Sequence, residues 1–300
     1  MKQRCHGISR ILPGVLLGSL AACAGQSVAP EAVSADHDAQ QEAASNARSS
    51  VMDVYRSIRR GKVDTSQSLL ASDAFAVGPR AGDVYTTRTD VVLAVTSVFD
   101  AGDRHKLGSK GLVAEASVTG KSAWTLDRVD IDRQSYTAVS VLAEIDEIWY
   151  VVALHVGAMT PGSTEGELAP LAGGVVGGAE AVVELVRAGA QSPLVFLDQL
   201  SEHDKVTVVG PGKSDHLRGA RKIKKKWTHK RRPQAPEPFT LLGGVRAGVT
   251  PDGGLAWVVA NTRAGDGPLH RMMFVYERDG ENWRLVAMQD SVPGPSTVAN

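Results

Sequence analysis

Apolar and polar positions along this chain fall into two rhythms, and the pair of rhythms is written twice. Within NARSSVMDVYRSIRRG, Val51, Val54, Tyr55 and Ile58 recur at helical spacing and stop at Gly61, which predicts a helix. DTSQSLLAS predicts a second, short helix capped by Asp64 or Thr65, and a third is expected near 87–101. GLVAEASV, SAWTLDRVDI, YTAVSVLAEI and IWYVVALHVG then read as β-segments joined by turns. The order returns downstream. AEAVVELVRAG and SPLVFLDQLSE predict helices, the latter with Ser192 as N-cap and Pro193 as first helical residue, and a third is expected near 216–229. TLLGGVRAGV, LAWVVANTR, HRMMFVYER and NWRLVAMQD follow as strands, with Asp279-Gly280 signalling a hairpin between the last two.

Three landmarks support a duplication. Gly78-Pro79 returns as Gly210-Pro211 after 132 residues, Trp124 as Trp257 after 133, and Trp149 as Trp283 after 134. Helices followed by close-linked, antiparallel strands make each copy an α+β unit. The strand IWYVVALHVG is apolar at both parities: Trp149, Val151, Ala153 and His155 are expected on one face, Tyr150, Val152, Leu154 and Val156 on the other. A strand apolar on both faces is expected to be covered on both, by helices on one side and by the second copy's sheet on the other, an intramolecular pseudo-dimer.

These features together resemble the SnoaL-like domains of the nuclear transport factor 2 superfamily. They are the helical start, the turn before the third helix, Ala-Trp on a middle strand, and a last hairpin bearing Val141, Glu144, Asp146, Trp149 and Ala153, or Phe274, Glu277, Asp279, Trp283 and Ala287. The resemblance implies two tandem cone-shaped α+β rolls, each with N-terminal helices packed on a curved antiparallel sheet, over 44–162 and 176–295 with a linker at 163–175. Many SnoaL-like domains end the last strand with a His and, two residues on, a Ser. Here the first copy has His155 with Gly157 and the second has Gln289 with Ser291.

The first 22 residues change the expected setting. Lys2, Arg4 and Arg10 flank a short apolar stretch ending in Leu20-Ala21-Ala22-Cys23, the layout of a secretory signal that resembles a bacterial lipobox. That resemblance implies cleavage before Cys23, acylation of its thiol, and attachment to a cell-envelope membrane after export, on the periplasmic side of the outer membrane where the cell has one. Residues 23–43 read as a flexible tether. Cleavage removes Cys5 and three of 33 basic residues, leaving 30 against 33 acidic, so the mature chain keeps no thiol for a disulfide and no net charge suited to nucleic acid.

Candidate chemistry is sparse. Tyr85, Trp124, His155, Trp257 and Gln289 are the candidate pocket residues, with His155 either a pocket base or a half-buried strand-end histidine. Glu144, Asp146, Glu147, Glu277, Asp279 and Glu281 read as solvated turn carboxylates, and GPGKSD as a turn and not a phosphate loop. No metal cluster or cofactor motif is evident. RKIKKKWTHKRR carries Lys222, Lys224, Lys225, Lys226, Lys230, Arg231 and Arg232, a candidate anionic-surface patch or a solvated helix face. The expected function is a non-catalytic module binding an apolar small molecule or an envelope protein. The alternative is an isomerase- or hydrolase-like enzyme with its site in the first copy.

Overall fold

Ala43, Ala47 and Val51 stand four residues apart and are all buried, so the first helix presents a narrow apolar stripe to the sheet beneath it. In the computed structural model, which describes residues 30–62, 67–98, 106–131, 134–159, 167–212, 215–229 and 235–295, this helix, α1, runs over Pro30–Arg59. Residues 30–43, expected to be tether, are therefore helical. Their Ala, Glu and Gln are strong helix formers, and the packed stripe further along gives the helix a tertiary anchor. The leader with its Cys23 lies outside the described residues, as do 63–66, where most of the second helix's expected start falls.

The first half continues with β1 (Leu70–Val77), β2 (Val84–Tyr85), α2 (Arg88–Val98), β3 (Leu107–Ser109), β4 (Val113–Ala116), β5 (Ser122–Ile131), β6 (Gln134–Ile145) and β7 (Ile148–Ala158). The second half has α3 (Glu180–Gln191), α4 (Val195–Gln199), β8 (Thr207–Val209), β9 (His216–Arg218), α5 (Ala220–Trp227), β10 (Thr240–Val249), β11 (Leu255–Arg263), β12 (Leu269–Asp279) and β13 (Asn282–Ser291). The architecture is α+β, with two sheets of one strand order: β2-β1-β7-β6-β5-β3, with β4 also on β5, and β9-β8-β13-β12-β11-β10.

Several sequence expectations are corrected. Leu70 starts a strand inside the segment expected to be the second helix, and β1 and β8 pair in parallel with β7 and β13, so neither sheet is purely antiparallel. Ser192 closes α3 as its C-cap, and α4 begins three residues later, its entry turn held by Val195 N–H donating to the Ser192 carbonyl at 2.8 Å. His216–Arg218 is a strand, and the third helix of that half is confined to Ala220–Trp227.

The loop after β1 recurs after β8 bond for bond. Gly78 N–H donates to the Asp83 carbonyl at 3.1 Å, and Gly210 N–H to that of Asp215 at 2.7 Å. The aspartate side chains return the contact, accepting from Arg80 N–H at 2.9 Å and Gly212 N–H at 3.0 Å. A Cβ on Gly78 would stand 2.6 Å from Asp83 Oδ2, and one on Gly210 2.8 Å from Asp215 Cβ, so the turn admits only glycine at its first position.

A β-bulge in each long hairpin decides what the sheets bury. Val141 pairs with Ala153 but Leu142 with Val151, leaving Val152 extra; Val275 pairs with Ala287 but Tyr276 with Leu285, leaving Val286 extra. The extra residue reverses the side-chain parity of the strand. Trp149 and Val151 consequently pack under the helices while Ala153 turns to the opposite face, which corrects the expectation that all three share one side with His155. On that opposite face Phe75, Trp124, Val139, Val141 and Ala153 share one apolar cluster with Leu255, Trp257, Met273, Val275 and Ala287. Phe75 and Trp257 stack at 5.6 Å across this seam. Burying side chains of this size contributes about 1.5–3 kcal/mol each.

Candidate functional site

On β5 the residues alternate cleanly. Trp124 and Leu126 enter the seam, so Thr125 and Asp127 face the other way, toward α1, which crosses β4 and β5. Register places Thr125 opposite Ser140 and Asp127 opposite Ala138 on β6. Thr125, Asp127 and Ser140 are all buried, with Asp127 only 1% exposed, and they form a polar stripe inside the first cone. Around it stand Ile58, Leu107, Val129 and Ala138, with Tyr55, Leu154 and Val156 packed against them.

Neither carboxylate oxygen of Asp127 has a partner in hydrogen-bond geometry among the described residues. The hydroxyls of Ser109 and Tyr55 and the backbone N–H groups of Arg128 and Lys110 lie near enough to favour its charged form, but burial outweighs them and pushes its pKa above the usual carboxylate range. Burial, with the neighbouring Asp127 carboxyl second, pushes the Tyr55 phenol up as well. A carboxyl whose acid form burial favours, beside a phenol, can donate a hydrogen bond to a carbonyl or hydroxyl brought within reach, or exchange a proton with it.

The second cone lacks this stripe. Trp257 pairs with Val275 as Trp124 does with Val141, so Val258 and Ala260 stand where Thr125 and Asp127 stand, and Phe274 where Ser140 stands. Val258, Ala260 and Phe274 belong to a continuous apolar cluster with Phe196, Trp227, Leu285 and Met288. Its Tyr276 hydroxyl donates to Gln199 Oε1 at 2.9 Å, and that amide donates on to the Leu185 carbonyl at 3.0 Å. One half thus buries a polar stripe beneath its helix where the other buries only apolar side chains.

The residues singled out from sequence lie elsewhere. Trp124, Trp257, His155 and Gln289 face the seam between the sheets and not a cone; for His155 and Gln289 this follows from the bulges that precede them. His155 and Gln289 are both fully buried, so His155 is not a half-buried strand end. His155 Nε2 contacts Ser291 Oγ at 2.9 Å, and Gln289 Nε2 donates to the Thr137 carbonyl at 3.0 Å. Burial, with Arg271 second, depresses the His155 pKa to about 3, so the ring is neutral and unsuited to act as a base in solvent. Tyr85 is apart from all four: its hydroxyl donates to Asp83 Oδ1 at 3.0 Å, and its pKa is pushed up to about 12 by burial and by that carboxylate.

Asp146 and Glu147 are exposed at a turn, as expected, whereas Glu144 is half-buried near the end of β6, opposite Trp149. Glu277 is likewise half-buried and accepts from Val118 N–H at 3.1 Å. Lys222, Lys224, Lys225 and Lys226 are exposed on α5, while Lys230, Arg231 and Arg232 lie outside the described residues. At the seam's edge, Lys110, Arg128, Thr137, Val209 and His216 line a cleft of about 110 Å³. Sites enclosing small organic ligands run to about 300–1,000 Å³, so this cleft suits water or a small ion. No helix among the described residues is long and apolar enough to cross a membrane.

No family model matches the chain, and no curated protein does. Among solved structures it is similar to an NTF2-like protein of unknown function from Pseudomonas putida, at 14% identity and a TM-score of 0.36, over 44% of this chain and 96% of that one. A protein with a cystatin-like fold from Caulobacter vibrioides matches at 14% identity and 0.36, over 40% and 92%. A ketosteroid isomerase-like protein from Erwinia carotovora atroseptica matches at 12% and 0.33, over 39% and 97%.

Proposed function

We propose that this protein is an exported, lipid-anchored binding protein built from two SnoaL-like halves, whose first cone holds an apolar small molecule through one polar group. The observation that carries the reading is Asp127, a buried carboxyl whose oxygens meet no partner in hydrogen-bond geometry among the described residues, near the Tyr55 hydroxyl. An unsatisfied buried polar group costs about 1–3 kcal/mol, and the equivalent position in the second half is Ala260, so the fold does not require an acid there. A ligand carbonyl or hydroxyl brought to Asp127 beside Tyr55 supplies a partner in full hydrogen-bond geometry. The second half, apolar at the equivalent positions, serves as scaffold, and the two form an intramolecular pseudo-dimer through the seam. Acylation at Cys23 supplies the anchor.

Native mass spectrometry of the protein extracted from its own membranes tests this. The expected result is a bound small molecule on the wild-type chain that is lost in Asp127→Leu, while Ala260→Ser, on the other cone, retains it. An empty wild-type protein, or a ligand held equally by Asp127→Leu, overturns the reading.

The same pair of residues favours a second reading, an isomerase-like enzyme in which Asp127 and Tyr55 move a proton on the ligand. Exchange of ligand hydrogens for deuterium in D₂O, present with wild type and absent with Asp127→Asn, distinguishes catalysis from binding.

A further inference from the structure

We infer that the outer face of α5 is a docking surface for anionic lipid headgroups. Ala220, Ile223 and Trp227 point inward and are buried, so the helix spends its apolar stripe on the core. The remaining positions, Arg221, Lys222, Lys224, Lys225 and Lys226, are all exposed cations, with Lys225 outermost. No Asp or Glu occurs between His216 and Pro236. Among the described residues, none of these five cations forms an ion pair with a carboxylate.

The fold does not demand this charge. The corresponding helix of the first half, α2, also buries its inward position, Val91, yet carries Asp90, exposes Leu93 and contains no lysine. Five like charges on two turns repel one another and weaken the helix that holds them. A surface of that kind gains its stability against a dense plane of negative charge. The face is one convex helix and not a groove, and it lacks exposed aromatic side chains on which bases would stack, which favours a flat headgroup layer over nucleic acid. The setting rests on the anchoring proposed above: an acylated Cys23 keeps the chain at the membrane, where a weak electrostatic contact is converted into an orienting one.

The test uses the full chain with Cys23→Ser, which cannot be acylated, and vesicles of mixed phosphatidylglycerol and phosphatidylcholine or of phosphatidylcholine alone. Any contribution of the leader is common to every chain compared, so the ratio between chains is the readout. The expected result is co-sedimentation with the mixed vesicles at low salt, weakened by high salt. Adding Lys224→Glu, Lys225→Glu and Lys226→Glu is expected to lower partitioning by about 100-fold. Unchanged circular dichroism and tryptophan fluorescence verify the fold, and the single change Lys225→Glu, expected to cost about fivefold, serves if the triple variant does not fold. Equal partitioning of the charge-reversed and parent chains, or loss of short-RNA binding with no change on vesicles, overturns the inference. Failure of Cys23 acylation, read separately from the mass of the mature chain, leaves this result standing.

Discussion

His155 Nε2 lies 2.9 Å from Ser291 Oγ, and the two residues come from opposite halves of the chain. The positions equivalent to them, 134 residues away in each case, are Gln289 and Gly157. The His of one half and the Ser of the other thus lie on two strands and meet across the seam. The Ser291 hydroxyl donates to the Arg271 carbonyl at 3.2 Å, so the imidazole proton sits on Nε2 and Nδ1 is left as an acceptor without a partner among the described residues.

This buried ring makes the fold acid-sensitive. Its folded pKa is depressed from 6.5 to about 3, so below pH 6.5 the unfolded chain takes up a proton that the folded chain refuses. Its contribution to stability is complete above 6.5 and is lost as pH falls toward 3, at about 1.4 kcal/mol per pH unit in the steep range. Urea unfolding at several pH values is expected to show this slope in the wild type and a flatter one in His155→Gln, which installs the other half's residue.

Gly157 is fixed by its neighbour. A Cβ there would lie 2.6 Å from Ser291 Cβ and 2.8 Å from Gln289 Nε2, closer than real side chains pack. Gly157→Ser, although it restores the His-x-Ser spacing within one strand, is expected to destabilise by about 1–3 kcal/mol through overpacking. The companion change Ser291→Gly is expected to recover much of that loss in the double variant, measured by the same unfolding curves.

Asp127 titrates in the opposite sense. Its folded pKa is raised by burial, so between the ordinary carboxylate value and the raised one the unfolded chain releases a proton that the folded chain keeps. The native state is therefore favoured at low pH and loses stability as pH rises from about 4 through the raised pKa. Asp127→Asn removes this dependence. Asp127→Leu is expected to raise stability at neutral pH by about 1–3 kcal/mol by eliminating the unsatisfied acid. Wild-type and Leu chains of equal stability at pH 7 would count against a ligand-dependent carboxyl.

What the sequence disclosed and withheld follows from these residues. The long hairpins were legible because Trp124, Trp257 and the turn at Asp279 stand where alternation and hairpin chemistry place them. The short parallel strands β1 and β8 were not, because the polar Ser72 and Asp73 interrupt the first and the second has three residues. Face assignments failed at Val152 and Val286, since a single bulged residue inverts parity and leaves no composition mark. Asp127 escaped notice for a related reason: in SAWTLDRVDI it alternates with Trp124 and Leu126 and so reads as the solvent side. Only the three-dimensional path of α1 shows that this side is roofed.

Arg271 joins the halves at the far end of the seam. Its guanidinium is fully buried and meets no carboxylate directly; Nε donates to Asn261 Oδ1 at 3.1 Å, and the fork donates to the carbonyls of Arg80 at 3.2 Å, Ala81 at 3.0 Å and Asp83 at 3.0 Å. Burial lowers its pKa to about 10, with Asp83 and Tyr85 opposing, so the charge persists at neutral pH and the loop carbonyls are what hold it. Arg271→Met removes one charge and its hydrogen bonds to three loop carbonyls of the other half, each contributing about 1 kcal/mol net although every carbonyl keeps a backbone N–H donor, so a loss of about 3 kcal/mol is expected. Arg271→Lys keeps the charge but presents its donors from a single nitrogen, which cannot span the fork's contacts, and is expected to recover less than half of that loss. Differential scanning calorimetry of the three chains decides the matter: a melting temperature in Arg271→Met within a degree of wild type would show that the clamp contributes nothing to holding the halves together.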